Sequence, residues 1–325
     1  NIKKVKKFST VEVMTGALIC KPFDTVIPIE QINFFPTKKN PKYIILNKKV
    51  KKNEHIRFLG SDFKKGEKVI CKGEIIKPSH ILAFKTLGIE KVLVKKIPKI
   101  IFYTTGNEIS DKKNISNWKV RNSNSYYLKS YLKHFPINFK EKKILRDNDS
   151  KKFYSEINKN LKSNIDIIIT SGAVSAGKFD FVPNEIKKFK PVNFFKGVLI
   201  RPGKPILFAK FKKKNKVFFG LPGNPISSAA CFRFFVYPFI RYSLGLDSEN
   251  YINAKLKNKY VKSKNITRFI KGLISHNSKG YTEFKVLKGQ ESFRILPFTK
   301  SNAWGIFRDR KSVFKKGDLI SCYNS

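Results

Sequence analysis

The sequence predicts an α/β protein: a parallel-sheet domain over residues 98–245, flanked by a β-rich N-terminal region and a small C-terminal β domain. Three observations predict it. Two isoleucine-rich runs, Ile100–Tyr103 and Ile165–Ile169, have the character of strands buried on both faces. Between and after them lie amphipathic helical patterns, Tyr127, Leu128, Tyr131, Leu132 and Phe135 on one face, then Phe153, Ile157 and Leu161 spaced by four. Each main strand then runs into a turn rich in Gly, Ser or Thr, the alternation of a sheet covered on both sides by helices.

The other elements follow in order. Residues 1–66 read as β, with Val11, Val13, Val26, Ile27 and Ile29 in short extended runs broken at Gly16, Pro22 and Pro28. Residues 67–97 read as a linking segment. In it Ile81, Leu82, Phe84 and Leu87 share one side of a helix closed by Gly88, and Val92–Val94 forms a short strand. After Pro98 come a helix from about Ser125, a short strand at Ile144 and Leu145, and the helix of Phe153. Ile206–Phe208 and Val217–Phe219 then make a strand pair joined by a lysine-rich turn at Lys212–Lys214. A helix runs from Pro225 to about Leu244. Residues 246–325, with FIKGLI, TEFKVL, WGIFRD and GDLISCY between turn residues, read as the small β domain.

Composition narrows the function. At roughly 150 residues per domain, 325 residues imply about two domains. No run of about 18 apolar residues occurs, so no membrane partner is expected. The net charge of +45 invites a nucleic-acid reading, but only ten of the 68 basic residues are arginine and the lysines spread along the whole chain. Lys, Asn, Ile and Phe share A/T-rich codons, so the charge is read as base composition acting on solvated positions, and no nucleic-acid partner is expected. Cys20, Cys71, Cys231 and Cys322, and the four histidines, lack metal-ligand spacing. The four cysteines are read as reduced, mostly buried thiols in a reducing compartment, the cytoplasm by default. The chain opens at Asn1, and its one methionine is Met14, which reads as an internal start.

Three loops carry the candidate chemistry: Thr104-Thr105-Gly106-Asn107-Glu108, the turn from Thr170 through Ser171, Gly172 and Ser175 to Gly177, and Gly220-Leu221-Pro222-Gly223-Asn224-Pro225. In an open parallel sheet such loops sit at the carboxyl ends of the strands, where ligands bind. Glycines let backbone N–H groups curl around an anion, and hydroxyls add donors. Asn224 suits an N-cap and Pro225 the first helical position, so a helix N-terminus would face a phosphate. Arg201 and Lys204 of RPGKP project from a stiff backbone as counter-charges. Glu108, Asp147 and Asp180 each follow a strand; together they could hold Mg²⁺, and Asp147 and Asp180 fit turn capping equally well.

These residues resemble a known family. TTGNEI, NSN at Asn122–Asn124, TSGAVSAGKFDF, RPGKP and GLPGNPISSAACF occur in the order and spacing of the MoeA-type molybdopterin molybdenumtransferases, to which the gephyrin C-terminal domain belongs. MTGALICKPFDTVIPIE and IRFLGSDFKKGE resemble upstream segments of the same family. The resemblance implies that residues 98–245 bind molybdopterin. It implies insertion of molybdate into adenylylated molybdopterin with release of AMP, Mg²⁺ assistance, and an elongated homodimer. Its site lies between the molybdopterin domain of one subunit and the β-rich domain of the other. Thr15 and Asp62 match family positions on that β-rich domain, Glu108, Asp147 and Asp180 match the acidic positions, and Arg268 and Ser292 fall near site positions of the C-terminal domain. The departures are the missing N-terminal SxMDGYA motif, Asn107 and Asn122 where Asp is usual, and Ala173 where Gly is common. A non-catalytic molybdopterin-binding module, suggested by the missing segment and by Asn107, and a molybdopterin adenylyltransferase, which would lack flanking β segments, remain the alternatives.

Overall fold

The computed structural model describes residues 6–133, 135, 137–142, 144–146, 149–174, 181–212 and 216–325. They fall into two compact units, Asn1–Cys71 and Lys72–Ser325. In the first, β1 (Ile32–Pro36) and β2 (Pro41–Leu46) form an antiparallel hairpin. Val11, Val13, Val26 and Ile27 lie outside any strand, and Ile29 opens a 3-10 turn. β-propensity records fit to a pleated, half-buried surface, and Val11, Val13 and Ile29 are exposed and unladdered.

The second unit opens with α1 (Pro78–Thr86), which Gly88 closes at φ +71°. Of its apolar side only Phe84 is buried, and Val92–Val94 forms no strand. The chain then lays down β3 (Lys99–Thr104), β4 (Ile109–Ser110), β5 (Val120–Arg121), α2 (Asn124–Leu132) and β6 (Asn138–Glu141). Next come α3 (Ser150–Lys162), β7 (Ile167–Ser171), α4 (Val182–Lys187), β8 (Asn193–Lys196), β9 (Ile200–Arg201), β10 (Leu207–Phe211) and β11 (Lys216–Leu221). One continuous helix follows: α5 (Pro225–Cys231), a π turn (Phe232–Val236) and α6 (Tyr237–Ser243).

The main sheet has the order β6-β3-β7-β11-β10-β8. Its first four strands are parallel, while β10 and β8 add antiparallel at one edge. Strand alternation splits the apolar runs between two cores. Ile100, Phe102, Ile167, Ile169, Val217 and Phe219 face α2, α5 and α6. Ile101, Tyr103, Ile168 and Phe218 face α3 and α4 through Phe153, Ile157, Val182 and Ile186. Each such buried side chain contributes roughly 1.5–3 kcal/mol. Two faces of burial explain why these strands are apolar throughout rather than alternating.

The remaining strands are β12 (Ile252–Leu256), β13 (Tyr260–Val261), β14 (Thr267–His276), β15 (Thr282–Val286), β16 (Ala303–Phe307), β17 (Val313–Phe314) and β18 (Leu319–Asn324), with α7 (Leu296–Thr299) between β15 and β16. The order β15-β12-β18-β16-β14, with β15 also pairing β14, closes a small barrel. Phe284 fills its interior against Gly272 and Gly305, where any Cβ would collide with the ring. The barrel has a sixth strand from elsewhere: β9, part of the RPGKP segment, pairs in parallel with β14. Phe269 of β14 in turn stacks on Phe234 of the π turn, with ring centroids 4.0 Å apart.

Arg233 of the π turn, 1% exposed, fastens this junction. It donates from Nη2 to Glu249 (2.7 Å) and from Nε to the Asn324 carbonyl (2.9 Å), with Phe234, Tyr237 and Tyr323 around the guanidinium. Replacing Arg233 by Met is expected to cost about 2 kcal/mol, because the charged hydrogen bonds to Glu249 and to the Asn324 carbonyl and the packing against Tyr237 and Tyr323 are lost. Urea unfolding checks this; a loss below about 0.5 kcal/mol, the size of an ordinary surface change, would show that the contact does not anchor the barrel.

Candidate functional site

Three adjacent parallel strands end level with one another. Thr104 of β3 pairs Ser171 of β7, which pairs Leu221 of β11. The loops beyond them stay laced together. Thr105 donates to the Ser171 carbonyl through its N–H (2.9 Å) and its hydroxyl (3.1 Å), and Gly172 N–H donates to Leu221 (2.9 Å). Gly172, at φ +99°, has no room for a side chain: a Cβ there would lie 2.6 Å from the carbonyl and hydroxyl oxygens of Thr105. A Cβ on Gly223 would find Gly172 Cα at 3.7 Å, so the second and third turns touch. At the first, the Glu108 carboxylate folds over Gly106, which is at φ +134°. The three glycine turns therefore meet at one rim of one sheet.

Two residues outside the sequence-derived candidates hold this rim. Asn124, the first residue of α2, donates its amide to Ser171 Oγ (2.7 Å) and to the Gly223 carbonyl (2.9 Å), while Ser171 Oγ donates to the Pro222 carbonyl (3.3 Å). Arg146 donates from Nη1 to the carbonyls of Gly106 (3.1 Å), Asn107 (3.2 Å) and Ile109 (3.1 Å). The NSN motif signals Asn124. Arg146 has no local signal, since its partners lie 37 to 40 residues away. Asn122 is buried, accepting from Thr104 Oγ1 (3.3 Å) and donating to Glu141 (3.1 Å). An amide can do both; an aspartate would set two carboxylates against each other.

Asn224 does not cap its helix with its side chain. Its amide donates instead to Ser292 Oγ (3.3 Å), and Ile226 N–H donates to the Ser292 carbonyl (3.3 Å). Part of the helix N-terminus is thus taken by a loop of the barrel. Thr105, Gly106, Ser171, Gly172, Pro222, Gly223, Asn224 and Ser292 come together, with Glu108 at the outer edge.

Arg201, Lys204 and Arg268 form a second group. Register sets Arg201 beside Arg268 across β9 and β14. Arg268 Nε is buried with no hydrogen-bond partner among the described residues. Burial pushes the Tyr260 hydroxyl pKa up, while Arg268 and Arg201 pull it back. Gly203 is packed against Cys231 and Ser227 of α5, so that helix links the two groups. Asp147, Ser175 and Asp180 lie outside the described residues. Among the described residues no three His, Cys, Asp or Glu gather as a metal site. Thr15 and Asp62 belong to the N-terminal unit: Thr15 sits in an exposed turn with Gly16, and Asp62 pairs Arg57 at 2.9 Å. Of the thiols, Cys231 and Cys322 are buried, but Cys20 and Cys71 are exposed, contrary to expectation.

A glycine-lined rim of interlaced turns, at the carboxyl edge of an open parallel sheet, defines a ligand-binding α/β domain of the doubly wound kind. Residues 101–242 match the family model described as a probable molybdopterin binding domain, and residues 1–88 match the MoeA N-terminal region (domain I and II). The chain belongs to the MoeA family. It is 29% identical over 317 residues to the molybdopterin molybdenumtransferase of Haemophilus influenzae, covering 96% of this chain and 76% of that one. It is 31% identical over 285 residues to the protein of the same name from Staphylococcus aureus, covering 86% of this chain and 65% of that one. The molybdopterin biosynthesis MoeA protein of Pyrococcus horikoshii OT3 has a similar structure, with a TM-score of 0.71 at 25% identity over 99% of this chain and 78% of that one.

The glycines separate two demands. Gly172→Ala is expected to cost about 1–3 kcal/mol, through left-handed strain and collision with Thr105. Gly223→Ala should change stability by less than about 0.5 kcal/mol, as an open position. Denaturant midpoints of the two variants check the contrast, and equal losses would contradict the packing of the rim.

Proposed function

We propose that this chain is a molybdopterin molybdenumtransferase, inserting molybdenum from molybdate into adenylylated molybdopterin with release of AMP. The role in molybdenum cofactor biosynthesis is that of its named relatives. The observation that carries the reading is the convergence of Thr105, Gly172 and Gly223 at one rim, with Ser171 between them. Residues 98–245 then bind the pterin and residues 246–325 close the site from the barrel side, while residues 1–66 form the β-rich domain and 67–97 the link. Thr15 and Asp62 would serve the site of a partner subunit in a homodimer, in the cytoplasm.

The protein's part in this chemistry is placement and charge. Thr105, Gly106, Ser171, Gly172, Ser175, Pro222, Gly223 and Asn224 would line the pterin and its phosphate; Thr105, Gly106, Ser171 and Gly172 already spend donors within the rim and so shape it, and Pro222, which has no N–H, stiffens the third turn. Arg201, Lys204 and Arg268 would neutralise oxyanion charge, and Ser292 would fix Asn224 beside the third turn. Glu108, Asp147 and Asp180 are hard oxygen donors of the kind that suits Mg²⁺, and Glu108 already stands over the first turn. Bound there, Mg²⁺ would supply positive charge to the phosphate. The orphaned Arg268 Nε is a donor awaiting an acceptor, and molybdate would provide one.

Incubation with adenylylated molybdopterin and molybdate tests the reading. AMP should appear only when both are present. Arg268→Ala should lower kcat/KM by about tenfold or more, since a charge-assisted hydrogen bond is worth roughly 1.5–3 kcal/mol. Binding of the pterin with no AMP released would mark a non-catalytic binding module instead.

A further inference from the structure

Lys271 of β14 is 1% exposed, and the site as described makes no use of it. Its Nζ donates to three carbonyls of one loop: Gly289 (2.9 Å), Glu291 (3.3 Å) and Arg294 (3.0 Å). Its backbone is tied to the same loop. Lys271 N–H donates to Gln290 Oε1 (3.0 Å), and Gln290 Nε2 donates to the Lys271 carbonyl (2.8 Å) and the Leu287 carbonyl (2.7 Å). Three converging carbonyls require an ammonium, which has three donors and no acceptor. Burial pushes the Lys271 pKa down to about 8, with Arg268 and Arg294 acting in the same direction and Glu291 against it. The group is therefore mainly cationic at neutral pH.

The loop that Lys271 gathers carries Ser292 at its middle. Ser292 is the residue that reaches Asn224 with its hydroxyl and Ile226 with its carbonyl. Asn224 follows Gly223, whose carbonyl is held by Asn124. Hydrogen bonds joined by single backbone steps, Glu291 to Ser292 and Asn224 to Gly223, thus lead from the barrel wall to the third turn of the rim. Gly289, at φ +81°, closes the loop tightly, with Pro297 Cγ 2.9 Å and Arg294 Cδ 3.0 Å from where a Cβ would stand.

We propose that Lys271 is a positioning residue for the ligand site, holding the 289–294 loop so that Ser292 fixes Asn224 and the third glycine turn. The role in turnover rests on the transferase reading; the role in ordering the loop does not. The barrel, on this account, sets how tightly the α/β domain binds its substrate. Lys271 touches no reacting atom, so its loss acts on binding geometry rather than on the chemical step.

The test uses the full chain with Lys271→Met, together with Gln290→Ala, which loosens the same loop without removing a buried side chain. Amide hydrogen exchange over residues 289–294 and 223–227 should quicken about tenfold or more in Lys271→Met, and less in Gln290→Ala, while β16 and β18 keep wild-type protection. With adenylylated molybdopterin as substrate, KM should rise about tenfold and kcat stay within about twofold, the mark of lost uniform binding. Lys271→Arg should restore part of the affinity. Unchanged exchange in 289–294 would overturn the proposal, as would exchange that quickens throughout the barrel in both variants. A fall in kcat at constant KM would also overturn it. If the wild-type chain releases no AMP, the transferase reading fails and the exchange data still decide the role of Lys271.

Discussion

The site depends on one constraint of register. β3, β7 and β11 are neighbours, parallel, and end at the paired residues Thr104, Ser171 and Leu221. Because they end level, the turns that follow must share a small volume, and the sequence answers with glycine where the turns meet. Thr105, donating twice to Ser171 and pressed against Gly172, is the tightest point of that packing. Shifting any one strand by a residue would turn its apolar faces over as well as misplace its loop. The double-sided core is therefore also what aligns the rim.

Most of this is legible in the amino-acid sequence. Runs such as Ile100–Tyr103 and the four-residue spacing of Phe153, Ile157 and Leu161 report burial directly, because side-chain period and core contact are one fact. The three turns were legible because glycine at a strand end has few other uses. Less of the N-terminal unit was readable. Val11, Val13 and Ile29 have β-forming side chains, yet strand formation needs a partner edge, and propensity does not name one.

The contacts that escaped the sequence share a different character. Arg146, Asn124 and Lys271 act on backbone carbonyls or on residues tens of positions away, and a carbonyl leaves no trace in residue identity. One of 68 basic residues cannot be singled out by composition. Asn224 shows the converse: its type fits a helix cap, but a barrel loop claims its amide first. Local rules rank the options for a side chain, and tertiary neighbours choose among them.

The two-residue strand β9 belongs by sequence to the α/β domain and by hydrogen bonding to the barrel. The chain is for that reason a poor subject for dissection into fragments. A piece ending at Gly245 would keep Ile200 and Arg201 but strip them of their ladder. A piece starting at Leu246 would bare the rim of β14 as an unprotected edge, the kind of surface on which unrelated chains adhere and aggregates grow.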